Sequence, residues 1–200
     1  MEGRQLRIGV LALQGGVAEH LAMLRRLGAQ PVEVRLPEHL EGLDGIILPG
    51  GESTTMGKLL VEYQVLEPLR RRLQAGLPAY GTCAGMILLA GDLGSGQPPH
   101  LGIMDIRVRR NAFGSQLDSF EQDLRVAGLG EAPFHAVFIR APIIERLGSG
   151  VTTLARLPDG TPVAAQQGRL LVSAFHPELG DDPRMHSLFL GMSREAAGGA

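Results

Sequence analysis

The sequence has no tryptophan, one cysteine and only 4% aromatic residues. A lone thiol excludes an intramolecular disulfide and a zinc site built on several cysteines. It suits a reducing cytoplasm and leaves Cys83 available for chemistry. So few aromatics predict a core of aliphatic side chains. Neither sign of charge dominates: 19 Lys and Arg face 21 Asp and Glu, for a net charge of −2, and the basic residues are spread along the chain. That pattern excludes the electrostatic footprint of a nucleic-acid binder. Long apolar runs are missing as well. The first, Ile8 to Leu13, stops at Gln14-Gly15-Gly16, too short for the apolar core of a secretory leader and far too short to span a bilayer. A soluble, unprocessed, cytoplasmic protein with no membrane partner is expected. No His/Asp/Glu cluster shows metal-ligand spacing, so neither a metal nor another cofactor is expected.

What is present is 44% hydrophobic residues in 200, enough for one sizeable core and short for two, and 28 glycines that suit tight turns. One domain over residues 1–200 is expected, with a frayed tail at Ala196–Ala200. Strand-like apolar runs alternate with helix-period segments through the first half, which predicts a parallel sheet with helical crossovers. Leu6 to Leu13 reads as a buried strand. Val17, Leu21, Leu24 and Leu27 recur at helical spacing up to Gly28. Short strands follow at Val32 to Val34 and Gly45 to Leu48; Pro49-Gly50-Gly51 ends the second, and Ser53 or Thr54 is expected to cap a helix carrying Met56, Leu59 and Leu60. Glu67 to Ala75 reads as helix, Pro78 to Thr82 as strand and Ala84 to Ala90 as helix.

In the second half, Ile103 to Arg109, Leu124 to Val126, Ala136 to Ile139, Val151 to Ala155, Pro162 to Ala165 and Leu170 to Ala174 are strand candidates, several of them antiparallel. Asp182-Pro183 opens a last helix. The fold class expected is α/β: a three-layer, open, mostly parallel sheet with helices on both faces and some antiparallel strands in the second half.

Gly81-Thr82-Cys83-Ala84-Gly85 has the form Gly-x-nucleophile-x-Gly at a predicted strand-to-helix turn, where glycines leave room for a sharp bend that projects the sulfur. The following helix aims its positive end and free N–H groups at that sulfur, which favours a thiolate. A small buried thiol among packing glycines is the plainer alternative. His176 ends the apolar run Leu170 to Phe175, and Glu178 lies two residues on, on the same side of an extended segment, where its carboxylate can fix the imidazole tautomer. A simple turn is the alternative. The other histidines, His20, His39, His100, His135 and His186, have no evident partner and read as surface or structural residues. Pro49-Gly50-Gly51-Glu52-Ser53 follows a buried strand on the edge that Cys83 would occupy, where crevices form in parallel sheets. Gly51 N–H and Ala84 N–H could together form an oxyanion hole; a phosphate cradle or a plain turn would use the same glycines.

These features, together with Gly9-Val10-Leu11-Ala12-Leu13-Gln14-Gly15, Leu48-Pro49-Gly50-Gly51-Glu52-Ser53-Thr54-Thr55-Met56, Arg110-Asn111-Ala112-Phe113-Gly114, Asp118-Ser119-Phe120, Phe138-Ile139-Arg140-Ala141-Pro142 and Phe175-His176-Pro177-Glu178-Leu179, resemble the triad (class I) glutamine amidotransferases. Within them the resemblance is to the glutaminase subunits of pyridoxal 5′-phosphate synthases, and it covers nearly the whole chain. It implies the flavodoxin-like amidotransferase fold, with Cys83 as nucleophile and His176 and Glu178 completing the triad. Gly51, Glu52, Ser53, Arg110, Ile139 and Arg140 would hold L-glutamine, and Gln14 would lie near the oxyanion site and the contact with a partner. The family often has Ser at the position of Ala112 and Arg at that of Ser115.

The resemblance further implies hydrolysis of L-glutamine to L-glutamate and ammonia through a γ-glutamyl thioester. The ammonia would pass to a (βα)₈-barrel synthase subunit in a large hetero-oligomer, which makes pyridoxal 5′-phosphate from ribose 5-phosphate and glyceraldehyde 3-phosphate. A related Cys-dependent γ-glutamyl hydrolase or peptidase is the nearest rival, and a non-catalytic thiol redox module is a rival of another class.

Overall fold

The computed structural model describes residues 4–94, 96–111 and 119–199. Ala112, Phe113, Gly114, Ser115 and Asp118 lie outside the described residues, and with them the two departures at Ala112 and Ser115.

The first half follows the apolar runs. Arg7–Leu11 form β1, Val17–Arg26 α1, Gln30–Val34 β2 and Gly45–Leu48 β3. Ser53–Glu62 form α2, Leu66–Gln74 α3, Ala79–Thr82 β4 and Ala84–Leu89 α4. β3 and β4 are buried at every position, because a parallel strand covered on both faces carries a continuous apolar run rather than an alternating one. α1 buries His20, Leu21, Met23 and Leu24. It ends where Gly28 takes φ +77°; Gly28 N–H donates to Arg25 O and Ala29 N–H to Leu24 O, the paired bonds of a glycine-terminated helix.

The second half supplies Ala90–Asp92 as β5, Met104–Arg109 as β6, Ser119–Leu124 as β7, Phe134–Ile139 as β8, Ile143–Leu147 as β9, Thr152–Arg156 as β10, Pro162–Gln167 as β11, Leu170–Ser173 as β12 and Arg184–Gly198 as α5. The main sheet runs β10-β11-β12-β4-β3-β1-β2. Its pairs from β12 to β2 are parallel, and β10, β11 and β12 are antiparallel. β5, β6 and β9 form a second sheet and β7 with β8 a hairpin.

Alternate residues of the central strands show which helix covers which face. Tyr80 packs its ring near His186 and Phe189 of α5, and a Cβ at Gly45 would meet Phe189 and Ser193 of the same helix. The neighbouring residue, Gly81, points the other way, toward Gly85 and Leu89 of α4. α1 joins α5 through His20 and His186, and α2 packs beside α4, so the sheet is the middle of three layers. This is the expected α/β fold. Among the described residues, no helix is long and apolar enough to cross a membrane.

Four local expectations change. The strand expected at Leu124 to Val126 lies earlier, at Ser119–Leu124, because it is held by hydrogen bonds to β8 while most of its side chains are open to solvent. β5 and β9 were not expected, and the exposed Glu145 and Arg146 interrupt the apolar signal of β9. The cap of α2 is Glu52, whose carboxylate accepts from Thr54 N and Thr55 N, rather than Ser53 or Thr54. α5 continues to Gly198, carrying Ala196 and Ala197 in the helix, as suits alanine.

Candidate active site

β4 ends at Thr82, and the chain turns into α4 through Cys83, whose φ of +49° is a strained conformation for a residue with a side chain. Cys83 N–H donates to Ser173 O of the neighbouring β12 at 2.8 Å. The flanking glycines are required by close approach. A Cβ at Gly81 would lie 2.6 Å from the Gly85 carbonyl group, and one at Gly85 would collide with Leu48 O. The bend therefore brings the sulfur to the carboxyl edge of the sheet, where Cys83 is only 7% exposed.

β12 delivers the partner. His176 N–H donates to Val137 O at 2.8 Å, and its side chain sits beside Cys83 on one side and hydrogen-bonds Glu178 on the other. Nδ1 lies 2.8 Å from Glu178 Oε1. The geometry differs from an extended segment. Pro177–Leu179 form a single 3₁₀ turn, and that turn brings the carboxylate back to the ring. Burial of the imidazole works against its charge, but the neighbouring Cys83 and the hydrogen bond and negative charge of Glu178 outweigh it, raising its pKa to about 10. A proton is thus held beside the sulfur. Gly50 forms the floor of this meeting point: a Cβ there would strike His176 Cε1, lie 3.0 Å from Nδ1 and 3.4 Å from Cys83 Cβ.

A cavity of about 490 Å³ opens in front of the sulfur. Gln14, Gly51, Glu52, Ser53, Cys83, Ala84, Arg110, Ile139, Arg140 and His176 all line it, together with Asn111, noted in the sequence only within a motif, and Ile87, which the sequence did not single out. Glu178 is buried behind His176 instead. Arg110 donates to Thr54 Oγ1 at 2.9 Å and to Ser53 Oγ. The sulfur lies 3.8 Å from Ile139 O, and Arg140 and Asn111 both hold positive φ at the cavity wall. Glu52 is engaged in capping: it accepts from Thr55 Oγ1 and the N–H groups of Thr55 and Thr54, and the Thr55 bonds above all hold its pKa near 2. Glu52 N–H donates to Gln14 Oε1 at 2.7 Å. Gly16 N–H donates to Gly50 O at 3.1 Å, so the turn after β1 is latched to the loop after β3.

Residues 10–195 match the model of the SNO glutamine amidotransferase family. The chain belongs to that family. It is 58% identical over 190 residues to the pyridoxal 5′-phosphate synthase subunit PdxT of Herpetosiphon aurantiacus, an alignment covering 94% of this chain and 100% of the relative. The PdxT subunit of a Roseiflexus species is 56% identical over 189 residues, again covering 94% and 100%. A crystal structure of a glutamine amidotransferase superposes with a TM-score of 0.88 at 53% identity, covering 93% of this chain and 98% of that one. PurLQS from Thermotoga maritima, at 16% identity and a TM-score of 0.69 over 94% and 98% of the two chains, shares the fold.

Two further side chains lie behind the cavity, and both were read from the sequence as residues without an evident partner. His20 Nε2 is 3.5 Å from Glu178 Oε2 and 3.3 Å from Thr82 Oγ1, and His20 Nδ1 is 2.9 Å from His186 Nε2. Neither imidazole is exposed to solvent. The available signal was position: His20 falls on the inward stripe of α1 with Leu21 and Leu24. Among the described residues, no group of three or more His, Cys, Asp or Glu side chains could hold a metal ion.

Proposed function

We propose that this chain hydrolyses L-glutamine to L-glutamate and ammonia with Cys83, His176 and Glu178 as its triad. The observation that carries the reading is the strained Cys83 facing a charged His176–Glu178 pair at the floor of a cavity with room for an amino acid. The Cys83 thiolate attacks the side-chain amide carbon, and the oxygen of the tetrahedral intermediate takes N–H groups of Gly51 and Ala84. His176 gives its Nε2 proton to the departing nitrogen, which leaves as ammonia. A water molecule then gives its proton to His176 and adds to the thioester, releasing glutamate and restoring the thiolate. Glu178 keeps the imidazole in one tautomer throughout. Arg110, already directed at Ser53 and Thr54, takes the α-carboxylate of glutamine, with Glu52, Ser53, Ile139 and Arg140 forming the remaining walls.

The names of its relatives support a further reading: the ammonia serves a pyridoxal 5′-phosphate synthase. The synthase partner is a (βα)₈-barrel subunit, assembled with this chain in a large hetero-oligomer and fed by ribose 5-phosphate and glyceraldehyde 3-phosphate. Partner docking acts at Gln14, whose side chain now holds Glu52 N–H beside Gly51.

In the assembled complex, Cys83→Ala abolishes ammonia release from glutamine, while ammonium salt still supports synthesis. Undiminished glutamine hydrolysis by that variant would sink the assignment.

A further inference from the structure

Glu178 is held from the front by His176, which leaves its second oxygen to be accounted for. Oε2 is buried and makes no hydrogen bond of good geometry among the described residues, and a carboxylate oxygen left bare in the interior is strongly disfavoured. The group facing it is His20 Nε2 at 3.5 Å, from α1. Behind His20 stands His186 of α5, with its own Nδ1 buried and without a hydrogen-bond partner among the described residues. Both rings are neutral. Burial first, and then the neighbouring imidazoles, keep His20 well below its ordinary pKa, and burial brings His186 down to about 4.

Each neutral ring carries one proton, so two arrangements are open. In the first, His20 carries its proton on Nδ1 and donates to His186 Nε2. His20 Nε2 then turns a lone pair toward the Glu178 carboxylate, and His186 Nδ1–H becomes a buried donor with no acceptor. In the second, His186 Nε2–H donates to His20 Nδ1, and His20 Nε2–H points at Glu178 Oε2 and Thr82 Oγ1. The group left unpaired is then only a lone pair on His186 Nδ1. The second arrangement removes both the lone-pair repulsion and the orphaned donor.

We propose that His20 and His186 form a neutral imidazole dyad that positions Glu178 from behind, so that the triad carboxylate is gripped between His176 and His20. The inference rests on the triad reading. Neither dyad residue touches substrate; each acts through another group. His186 fixes the tautomer of His20, His20 fixes Oε2, and a fixed carboxylate keeps His176 Nε2 aimed at Cys83. Thr82, the residue before the nucleophile, shares the same N–H and ties the dyad to β4.

The test is glutamine hydrolysis by the chain assembled with its synthase subunit, for wild type, His20→Leu and His20→Gln, with Cys83→Ala as the control on the triad itself. Loss of the N–H that faces the buried carboxylate predicts a fall in kcat of about 10–100-fold for His20→Leu with KM nearly unchanged. Gln places an amide N–H where Nε2–H stood and restores most of the rate. Nitrogen-15 NMR of the wild-type chain reads the tautomers directly and does not depend on any variant folding: protons on Nε2 of both His20 and His186 are expected. A proton on His20 Nδ1 overturns the proposal. So does wild-type kcat in His20→Leu alongside an inactive Cys83→Ala, whereas an active Cys83→Ala overturns the triad instead.

Discussion

His176 and His20 approach the same carboxylate from opposite sides, yet they titrate in opposite directions. His176 borders the cavity between Cys83 and the Glu178 carboxylate, and these neighbours outweigh the cost of burial. His20 lies 3.5 Å from Glu178 but is sealed between helices with another imidazole for a neighbour, so burial wins. One carboxylate neutralises one cation. The difference teaches that proximity to an anion does not by itself charge a histidine; what decides is whether the anion's charge is already balanced and whether water can reach the ring.

The pH dependence of stability offers the largest effect with which to break this comparison. The folded pKa of His186 is about 4 and that of His20 is also lowered, whereas both are near 6.5 when unfolded. The unfolded chain therefore binds more protons in that window, and stability falls as pH drops from about 6.5 toward 4. For His186 alone the loss is about 3 kcal/mol. His176 has the opposite sign: its folded pKa is raised to about 10, so its contribution is complete below about 6.5 and is lost as pH rises through 10. Urea unfolding from pH 7 to pH 4 is expected to show a steeper decline in wild type than in His186→Gln. Parallel curves would mean that the back pair is not buried in the neutral form.

On the cavity side, the corresponding probe is Gly50→Ala. The backbone at Gly50 suits any residue, but the new methyl group would occupy the space of His176 Cε1 and lie 3.0 Å from Nδ1. The ring must shift on the order of 1 Å to reach ordinary contact distance. Such a displacement at a reacting centre costs about 10²-fold in kcat. Because the strain falls on the cavity side, the slope of stability against pH below 6.5 should match that of wild type. A variant of full activity would show that the imidazole is not confined as the geometry requires.

The same division separates what was legible in the sequence from what was not. β3 at Gly45–Leu48 and the Cys83 bend follow from local chemistry, an apolar run and two glycines around a turn, and the structure has them where they were read. The residues lining the cavity gather there because several sit at or just beyond strand ends of the main sheet or its neighbours. His20 and His186 are 166 residues apart, and no periodicity couples two histidines on different helices. β7 was misplaced because its side chains are mostly exposed, so backbone pairing rather than burial defines it. The helix cap was misread because Ser53 and Thr54 are commoner caps than glutamate, while the loop geometry put the Glu52 carboxylate within reach of two N–H groups and a hydroxyl.

That cap supplies the smallest test and separates two roles of one residue. Glu52 lines the cavity, caps α2 with its carboxylate, and gives its backbone N–H to Gln14. Glu52→Ala removes the carboxylate and leaves the N–H, so the Gln14 contact should survive. The expected loss is about 1 kcal/mol at pH 7, measured by urea unfolding. The sign with pH is also set. The pKa of Glu52 is held near 2, so its contribution is present above about 4.5 and disappears as pH falls toward 2. The gap between wild type and Glu52→Ala should therefore narrow below pH 4.5, in the range where the capping carboxylate takes up its proton. A gap that stays constant through that range would assign the loss to altered packing of the cavity wall rather than to the charge on the cap.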